Sequence, residues 1–332
     1  MDRVLVTGGA GFIGANFVRH LVDVSDVRVT VLDKLTYASC PEAIEDLPSD
    51  RVRLVVGDVV DAALVDTLVG EHDTVVHLAA ESHNDNSVRD PGPFIQTNLV
   101  GTFTILEAVR RHDARLHHVS TDEVFGDLDL DDPGRFTEDS PYRPSSPYSA
   151  SKAGADHLVR AWVRSYGVRA TLSNCSNNFG PWQHVEKFIP RQITNILDGR
   201  PPVVYGSGAN VRDWIHVDDH SAALWRILEA GRLGETYLVG AETERSNLDV
   251  VATLLRLTGR DPDDLVQVAD RPGHDLRYAI DPTRIRTELG WSPRYGDFES
   301  GMVATIDWYR GHEDWWRRDK AAVEAAYASH GQ

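Results

Sequence analysis

The chain has 332 residues, which is enough for one large domain or two unequal domains with a substantial core. Its net charge of −17 argues against nucleic acids and anionic membranes as partners, because both need a basic face on the protein. Two cysteines, Cys40 and Cys175, are too few for a disulfide framework and lack metal-ligand spacing, so we expect a cytoplasmic protein without a metal site.

The first half of the chain alternates short apolar runs with helical patterns. Runs such as RVLVTG and TVVHLAA lack polar–apolar alternation, which is typical of parallel strands covered on both faces. This pattern predicts a doubly wound, Rossmann-type α/β sheet whose ligands bind beyond the carboxyl ends of the strands. The predicted strands are 3–8, 28–33, 52–58, 74–80 and 115–121, and the predicted helices include 12–23 and 94–112.

The pattern loosens after residue 176. We predict a Rossmann domain over 1–176, to which 211–240 returns, and a smaller mixed α/β substrate-binding region formed by 177–210 and 241–332. A strand and a helix are expected within 211–231, and a helix over 247–259 ends at a glycine cap. The tail from Phe298 to about Tyr327 is rich in tryptophan and helical in pattern.

A glycine-rich turn joins the first predicted strand to the first helix. Gly8 permits a tight turn, Gly11 lets the backbone approach a pyrophosphate, and Gly14 allows close helix–sheet packing. The second strand ends in Asp33, 19 residues beyond Gly14, where an acid accepts hydrogen bonds from a ribose diol and repels a 2′-phosphate. These features favour NAD as cofactor over NADP, although the adjacent Lys34 weakens the preference.

Two further strand ends have features suited to a cofactor. Asp58 follows the third strand, where it either meets an adenine edge or caps a helix. Small Ala79 and Ala80 end the fourth strand, followed by Ser82, and leave room for a cofactor to pass closely.

Tyr148 and Lys152 lie four residues apart in a predicted helix and therefore share one helix face. A lysine ammonium beside a phenol lowers the phenol pKa, so the pair predicts a base that takes a proton from a sugar hydroxyl. Taken alone, such a pair is usually an exposed pair on a helix surface. Its occurrence together with the glycine turn favours the catalytic interpretation.

Two adjacent acids, Asp122 and Glu123, follow the fifth strand. Elimination of water needs an acid and a base close together in opposite protonation states, which two carboxyls in different environments can supply. By themselves the two acids fit an exposed turn equally well. We expect the next four acids to lie in a solvated surface loop without function. They are Asp127, Asp129, Asp131 and Asp132.

Nine motifs occur in the order TGGAGFIG, LDKLTYA, HLAAESH, STDEVFGD, PYSASKAGADH, NNFGP, EKFIP, NVRDWIHVDDH and DRPGHDLRYAID. Together they resemble the dTDP-glucose 4,6-dehydratase family of the extended short-chain dehydrogenase/reductases, which serves dTDP-rhamnose and other deoxysugar biosynthesis. The resemblance spans Arg3 to about Tyr309. It implies a lyase with bound NAD, in which Tyr148 takes the C4 hydroxyl proton and Thr121 hydrogen-bonds the C4 oxygen. Glu123 removes the C5 proton and Asp122, kept protonated, donates to the departing C6 hydroxyl.

The resemblance also implies contacts with both ligands. Beyond the residues already named, it places at the cofactor Phe12, Ile13, Thr36, Val59, Asn98, Ser120 and Cys175. At the nucleotide-sugar it places Ser82, His83, Asp85, Asn177, Glu186, Lys187, Phe188, Ile189, Pro202, Val203, Tyr205, Arg212, Asn247, Arg271 and His274.

Several alternatives stay open at this stage. Arg191 is either a further phosphate contact or a salt-bridge residue. A UDP-sugar 4-epimerase shares the glycine turn and the Tyr/Lys pair but needs no acid pair, and an inactive nucleotide-sugar-binding protein is a second alternative. The chain departs from the family pattern at Phe125 and at Asn84 and Asn86, where many members have Val and Arg. The resemblance further implies a homodimer formed through helices 94–112 and 146–166.

Overall fold

The computed structural model describes residues 1–270 and 275–329. No helix in these ranges is long and apolar enough to cross a membrane. The strands are β1 (Arg3–Thr7), β2 (Arg28–Asp33), β3 (Val52–Val56), β4 (Thr74–His77), β5 (Arg115–Thr121), β6 (Ala170–Cys175), β7 (Asn177–Phe179), β8 (Val203–Tyr205), β9 (Val211–His216), β10 (Thr236–Val239), β11 (Glu244–Ser246) and β12 (Val266–Val268).

The helices alternate with the strands in the first half of the chain and cluster toward its end. They are α1 (Phe12–Val24), α2 (Glu42–Glu45), α3 (Ala62–Gly70), α4 (Asn84–Arg89), α5 (Gly92–Phe94), α6 (Thr102–His112), α7 (Pro147–Tyr166), α8 (Phe188–Leu197), α9 (Val217–Ala230), α10 (Asn247–Thr258), α11 (Thr283–Leu289), α12 (Phe298–Gly311) and α13 (Glu313–Ser329).

Seven parallel strands form the large sheet in the order β10-β6-β5-β4-β1-β2-β3. The chain moves outward from β1 through β2 to β3 and then returns to β4 on the other side of β1. This reversal places a crevice at the carboxyl ends of β1 and β4, which is where such sheets bind ligands. The predicted Rossmann-type architecture is therefore confirmed.

Both faces of the large sheet are covered by apolar helix faces. On one side Phe17 and Leu21 of α1 pack against Leu224 of α9. On the other side α3, α6 and α7 contribute residues such as Leu68 and Ile105. Each of these side chains is almost fully buried, and burying one contributes roughly 1.5–3 kcal/mol. The sheet is thus a rigid support for its carboxyl edge.

Three predicted strands are shorter in the structure than in the sequence pattern, and the first of them ends one residue early, at Thr7. The third ends at Val56 and the fourth at His77, two and three residues before their predicted ends. The chain leaves the ladder at these points, and residues 57–58 and 78–80 line the ligand crevice instead. The apolar residues 78–80, which prolonged the pattern of the fourth strand, therefore belong to the wall of the site.

The predicted helix 94–112 is not one regular helix. The short helix α5 continues into a π-helical segment, Ile95–Gly101, before α6 begins. A π-helical segment is rare and often lies near a functional site. Here it turns Thr97 and Asn98 into the protein, where both are almost fully buried.

The second half of the chain builds two small sheets, β11-β9-β7 and β12-β8. Helices α8, α10, α12 and α13 pack around a separate core that includes Trp214 and Met302. Within the predicted returning segment 211–240, β10 adds a strand to the large sheet and α9 packs on α1. Strand β9 instead pairs in the three-stranded sheet. The domain boundary itself stays a prediction.

The helical tail breaks at His312 into α12 and α13. Arg191 on α8 lies 3.1 Å from Glu324 on α13 and stacks over Tyr327, 3.6 Å from the ring centre. Lys320 also pairs with Glu324, at 2.8 Å. Because Arg191 is only 3% exposed, its charge is satisfied inside the protein. Of the two alternatives for Arg191, the structure shows the salt bridge.

Candidate active site

The glycine turn between β1 and α1 is tightly packed against its surroundings. Gly8 has φ +69° and its missing side chain leaves room for Ala79, whose backbone nitrogen would lie 2.6 Å from an added Cβ. At Gly14 an added Cβ would lie 2.1 Å from the Gly8 oxygen. The turn therefore brings the N-terminus of α1 directly to the crevice, where backbone N–H groups can bind an anion.

A cavity of about 320 Å³ opens at this turn, in the size range of small-molecule sites. Its wall is built from the glycine turn, from the ends of six parallel strands and from α7. The predicted cofactor residues that line it are Gly8, Gly11, Phe12, Ile13, Gly14, Asp33, Lys34, Thr36, Asp58, Val59, Ala79, Ala80, Ser82, Ser120, Tyr148, Lys152 and Cys175.

Asp33 is held rigidly at the end of β2. Its carboxylate accepts hydrogen bonds from the backbone N–H groups of Ala10 at 3.0 Å and Leu35 at 2.9 Å. The hydroxyl of Ser39 donates a third bond at 3.1 Å. These donors fix the carboxylate at the cavity wall, in the orientation expected of a group that recognises a ribose diol.

Lys34 does not offer an unmatched positive charge to the cavity. Its ammonium lies 3.1 Å from Glu81 and donates to the Thr97 hydroxyl at 3.1 Å. A 2′-phosphate entering here meets both this neutralised lysine and the charge of Asp33. The arrangement removes the reservation that Lys34 raised in the sequence and supports NAD over NADP.

Asn98 lies behind the cavity wall, almost fully buried, and does not line the cavity. Its amide accepts from the Glu81 N–H at 2.8 Å and donates to the Glu81 carbonyl at 3.0 Å and to Ser151 at 2.9 Å. The predicted cofactor contact of Asn98 stays a prediction, and its amide ties the loop after β4 to helix α7. Its position in the π-helical segment turns the amide inward.

Helix α7 presents Tyr148 and Lys152 to the cavity from its first two turns. The helix begins with a capping box formed by Ser146 and Ser149, with Pro147 in its first turn. Tyr148 and Lys152 are both buried, and both line the cavity. The predicted shared helix face is thus the face toward the crevice.

The electrostatic environment of this pair differs from the prediction. Burial raises the pKa of the Tyr148 phenol well above its usual value, and the negative charge of Glu123 adds to the increase. The Lys152 ammonium donates to the Val119 carbonyl at 2.8 Å. Burial lowers the Lys152 pKa, and the charge of Asp156 opposes that decrease. The expected lowering of the phenol pKa is wrong for the protein alone, because burial outweighs the lysine.

Asp122 and Glu123 begin a 3₁₀ turn, Asp122–Phe125, that directly follows β5. The Thr121 hydroxyl caps this turn by accepting from the Glu123 N–H at 3.3 Å. Asp122 is 1% exposed, and its Oδ2 has no hydrogen-bond partner among the described residues. Burial raises the Asp122 pKa well above its usual value, and the charges of Glu123 and Asp213 raise it further. The surroundings of Asp122 therefore favour its protonated form.

Glu123 lies beside Asp122 at the cavity but has a different environment. It is partly exposed, and its Oε2 accepts a hydrogen bond from the Asn84 amide at 2.8 Å. A donor to the carboxylate favours the charged form, whereas Asp122 lacks such a donor on its buried oxygen. One acid and one carboxylate thus stand side by side, as elimination of water requires.

Three polar residues, Arg212, Asp213 and Tyr278, lie near the acid pair. From the sequence, Arg212 was assigned to the nucleotide-sugar, and the other two were given no role. Arg212, predicted at the diphosphate, donates to the carbonyls of Val211 and Asp275 at 2.8 and 2.9 Å. It stacks over Tyr278 at 4.3 Å, and its charge lowers the Asp122 pKa slightly against the other influences. Burial raises the pKa of neighbouring Asp213 to about 6. The motifs NVRDWIHVDDH and DRPGHDLRYAID contain these residues, and that is the signal available in the sequence.

The predicted nucleotide-end residues divide into groups. Ser82, Asn177 and Lys187 line the cavity, whereas Ile189 is buried in the core of the second half. Arg271 and His274 lie outside the described residues. The other predicted residues do not line the cavity, and their contacts with a nucleotide-sugar stay predictions; they are His83, Asp85, Glu186, Phe188, Pro202, Val203, Tyr205, Arg212 and Asn247.

Glu186 stands at the centre of a polar cluster next to Lys187. Tyr37 donates to its carboxylate at 3.3 Å, and His83 lies 3.8 Å away. From α13, Tyr327 donates to the Glu186 carbonyl at 2.8 Å. The cluster joins three remote segments of the chain next to Lys187, which lines the cavity. The contact of Glu186 with the nucleotide-sugar stays a prediction.

Sequence reasoning missed several residues of the cavity wall. Some belong to motifs that it had quoted for other residues, such as Glu81 in HLAAESH and Asn178 in NNFGP. Others carry no local signal, because only the fold brings them to the crevice. The missed lining residues are Leu32, Ala38, Ser39, Gly57, Leu78, Glu81, Thr97, Val119, Ser176, Asn178, Gln183 and His184.

A doubly wound sheet with a glycine turn, an acid at the end of β2 and a buried Tyr/Lys pair defines an extended short-chain dehydrogenase/reductase. A family model described as GDP-mannose 4,6 dehydratase matches residues 5–304. The dTDP-glucose 4,6-dehydratase of Mycolicibacterium smegmatis is 66% identical over 332 residues, covering 99% of this chain and all of that protein. The chain belongs to the dTDP-glucose 4,6-dehydratase family within this superfamily.

Solved structures agree with this assignment. The dTDP-glucose 4,6-dehydratase of Streptomyces venezuelae, solved with NAD bound, has a TM-score of 0.90 and 45% identity, covering 95% of this chain and 98% of its own. The UDP-glucose 4-epimerase of Thermus thermophilus, solved in complex with NAD, has a TM-score of 0.85 and 30% identity, covering 93% and 99%. The shared fold therefore does not separate dehydratase from epimerase, and the separation depends on the site.

Proposed function

We propose that the protein is an NAD-dependent hydro-lyase that converts dTDP-glucose to dTDP-4-keto-6-deoxyglucose. One observation carries the proposal: Asp122, buried and with a raised pKa, stands beside Glu123 in the cavity that also holds Tyr148 and Lys152. A 4-epimerase needs the tyrosine and lysine but has no use for an acid and a base side by side. The pair therefore favours a dehydratase.

The residues of the chain fit NAD at the glycine turn and at Asp33, where backbone N–H groups and a fixed carboxylate suit a pyrophosphate and a ribose. Bound NAD supplies the site with a hydride acceptor that later returns the hydride to C6, and its cationic ring favours the Tyr148 phenolate. A cationic ring beside Tyr148 would act against the burial and the Glu123 charge, which raise the phenol pKa.

The catalytic side chains handle the protons of the reaction. Tyr148, assisted by the Lys152 charge, takes the proton of the C4 hydroxyl, and Thr121 hydrogen-bonds the C4 oxygen. The resulting ketone acidifies the C5 hydrogen, which Glu123 removes as a proton. Asp122 donates its proton to the C6 hydroxyl, which leaves as water. The role of Asp122 agrees with its raised pKa, whereas Tyr148, whose pKa is also raised by burial, needs a positive charge beside it to act as a base.

Incubation of the protein with NAD and dTDP-glucose tests the proposal directly. A 4-keto-6-deoxy sugar nucleotide supports the dehydratase. Formation of dTDP-galactose instead indicates the epimerase, and binding without turnover indicates an inactive nucleotide-sugar-binding protein. Parallel assays with UDP-glucose measure how strictly the protein selects the nucleotide.

Single substitutions then assign the elimination step. We expect Glu123→Gln and Asp122→Asn to slow water loss by about 100-fold or more, because each removes one partner of the proton transfer. Oxidation at C4 uses neither group, so NADH absorbance should appear and persist in both variants. Dehydration at the native rate in both variants contradicts the assignment of the acid pair.

We further infer a cytoplasmic homodimer. Both cysteines, Cys40 and Cys175, are free and buried, which suits a reducing compartment. The outer faces of α6 and α7 expose a connected aromatic patch in which Phe103 contacts Trp162 at 5.9 Å and Trp162 contacts Tyr166 at 5.4 Å. Such a patch suits a four-helix interface between two copies.

A further inference from the structure

Asn84 lies at the start of α4 and connects two parts of the proposed catalytic site. Its amide nitrogen donates to Glu123 Oε2 at 2.8 Å, and its amide oxygen accepts from the Ser146 hydroxyl at 3.0 Å. A carboxylate can only accept, so the orientation of the amide follows from its partners. Both the nitrogen and the oxygen of the Asn84 amide therefore have a hydrogen-bond partner.

Ser146 is the residue that caps α7. Its hydroxyl accepts from the Ser149 N–H at 3.1 Å while it donates to Asn84, and Tyr148 follows two residues later. The contact with Asn84 therefore links the Glu123 carboxylate to the start of the helix that carries Tyr148. Glu123 is thus hydrogen-bonded, through Asn84 and Ser146, to the N-terminal turn of the helix that carries Tyr148.

The helix that carries Asn84 is itself anchored. The buried Ser87 hydroxyl donates to the Asn84 carbonyl at 2.7 Å, and the imidazole of His83 caps the helix by accepting from the Asn86 N–H at 3.4 Å. Asn84 is thus fixed at its backbone and at both ends of its amide. A fixed donor can hold a flexible glutamate side chain to one position.

We propose that Asn84 is a positioning residue for the elimination step, which orients the Glu123 carboxylate toward the C5 hydrogen. This inference rests on the proposed function. An uncharged amide suits the task, because a donor without net charge orients a carboxylate yet leaves it a stronger base than an adjacent arginine or lysine does. A catalytic base needs this orientation, since small displacements of a reacting group are costly in rate.

The test compares the unmodified protein with Asn84→Ala on dTDP-glucose, following both product and NADH absorbance. We expect Asn84→Ala to lower kcat by about 10- to 100-fold with an unchanged KM, because the carboxylate loses its fixed orientation. Oxidation at C4 precedes the affected step, so the NADH form should accumulate during turnover. In D2O, uptake of deuterium at C5 should slow by the same factor as kcat.

Two further variants separate positioning from simple structural damage. Asn84→Asp places a carboxylate against Glu123, and we expect it to be slower than Asn84→Ala because the two charges repel. Ser87→Ala removes a bond from the same short helix without touching Glu123, and it should show no accumulation of NADH. Thermal unfolding of all variants measures any loss of folding.

The possible results are distinct. Native kcat in Asn84→Ala overturns the positioning role, and so does a loss of kcat without NADH accumulation. NADH accumulation in Ser87→Ala equal to that in Asn84→Ala also overturns it, because disorder of the helix then explains both. If the unmodified protein forms no 4-keto-6-deoxy product, the proposed function fails, and that outcome is visible before any variant is made.

Discussion

Asp122 and Glu123 differ in surroundings although they are adjacent in sequence. The 3₁₀ turn places Asp122 inside the protein and Glu123 toward the partly open cavity. Moving a carboxylate out of water is costly, so Asp122 keeps its proton, whereas Glu123 has the amide of Asn84 as a donor. The different roles proposed for the two acids thus follow from their different positions in one 3₁₀ turn.

The raised pKa of Asp122 predicts a pH-dependent effect on stability. The folded protein holds this proton above about pH 4, whereas the unfolded chain releases it, so folding loses stability as the pH rises toward the folded-state pKa. Asp122→Asn removes this loss. We expect the unfolding free energy of Asp122→Asn, relative to that of the unmodified protein, to increase by about 1.4 kcal/mol per pH unit between about pH 4 and the folded-state pKa of Asp122.

Denaturant unfolding of both proteins at a series of pH values from about 4 upward measures this difference. Asp139→Asn, the same substitution at an exposed aspartate outside the cavity, serves as the control. A constant difference for Asp122→Asn shows that Asp122 is ionised in the folded protein, contrary to the proposed role as acid.

A second buried carboxylate, Asp156, supports the catalytic helix from within. It is fully buried and accepts from His118 at 3.2 Å, Tyr142 at 2.8 Å and Asn174 at 3.1 Å. These donors keep its pKa low in spite of burial. Its negative charge in turn favours the charged form of Lys152, one helical turn away. The lysine therefore remains useful as a cation although it is buried.

At the scale of elements, the close crossing of α1 over the turn after β1 is what opens the crevice to a pyrophosphate. The crossing depends on the absence of a side chain at Gly14, because the nearest atoms to an added Cβ are backbone atoms of Gly8 and Gly9. Backbone cannot move aside as a flexible side chain does. The packing of α1 and the predicted pyrophosphate site therefore both require glycine at position 14.

Gly14→Ala should accordingly weaken both folding and NAD binding. We expect a loss of about 1–3 kcal/mol in unfolding free energy from overpacking, together with a clear loss of NAD affinity. Gly311→Ala is the matched control, since no heavy atom lies within 4 Å of an added Cβ there. That change should stabilise α12 by up to about 1 kcal/mol.

Chemical denaturation and calorimetric titration with NAD measure the two effects in each variant. Equal stability and equal NAD affinity in Gly14→Ala contradict the close crossing as the reason for glycine at this position. Destabilisation by Gly311→Ala of the same size shows instead a general sensitivity of the fold to added methyl groups.

At the scale of the whole molecule, the chain presents two neighbouring helices, α6 and α7, with an aromatic outer face. Phe103 is 45% exposed and Tyr166 54% exposed, and Arg110 stacks over Tyr166 at 4.7 Å. A patch of this kind costs free energy while it faces water. Since α7 also carries Tyr148 and Lys152, an interface on its outer face would stiffen the helix that holds the catalytic pair.

Phe103→Glu should therefore convert the proposed dimer to a monomer, because it places a charge in the middle of the apolar patch. Val303→Glu changes a comparably exposed residue, 43% exposed on α12, and should leave the dimer intact. Light scattering coupled to gel filtration measures both masses. A monomeric unmodified protein contradicts the proposed dimer, as does a dimeric Phe103→Glu.

Local patterns were sufficient for most of the large sheet and for the catalytic pair. The strand pattern matches β2 and β5 residue for residue, and the spacing of Tyr148 and Lys152 places both on the buried face of α7. Errors arose where neighbours in space decide. The Tyr148 pKa was expected to fall, yet burial raises it.

By itself, the sequence determined the glycine turn, the order of strands and helices, and the positions of the acid pair, because these depend on residues close together in the chain. The tertiary structure decided that Asp122 is buried with a raised pKa, that Asn84 bonds to Glu123 from 39 residues away, and that Arg191 pairs with Glu324 from 133 residues away. Burial and charge interactions depend on distance in space, and no local pattern records which remote side chain will lie within reach.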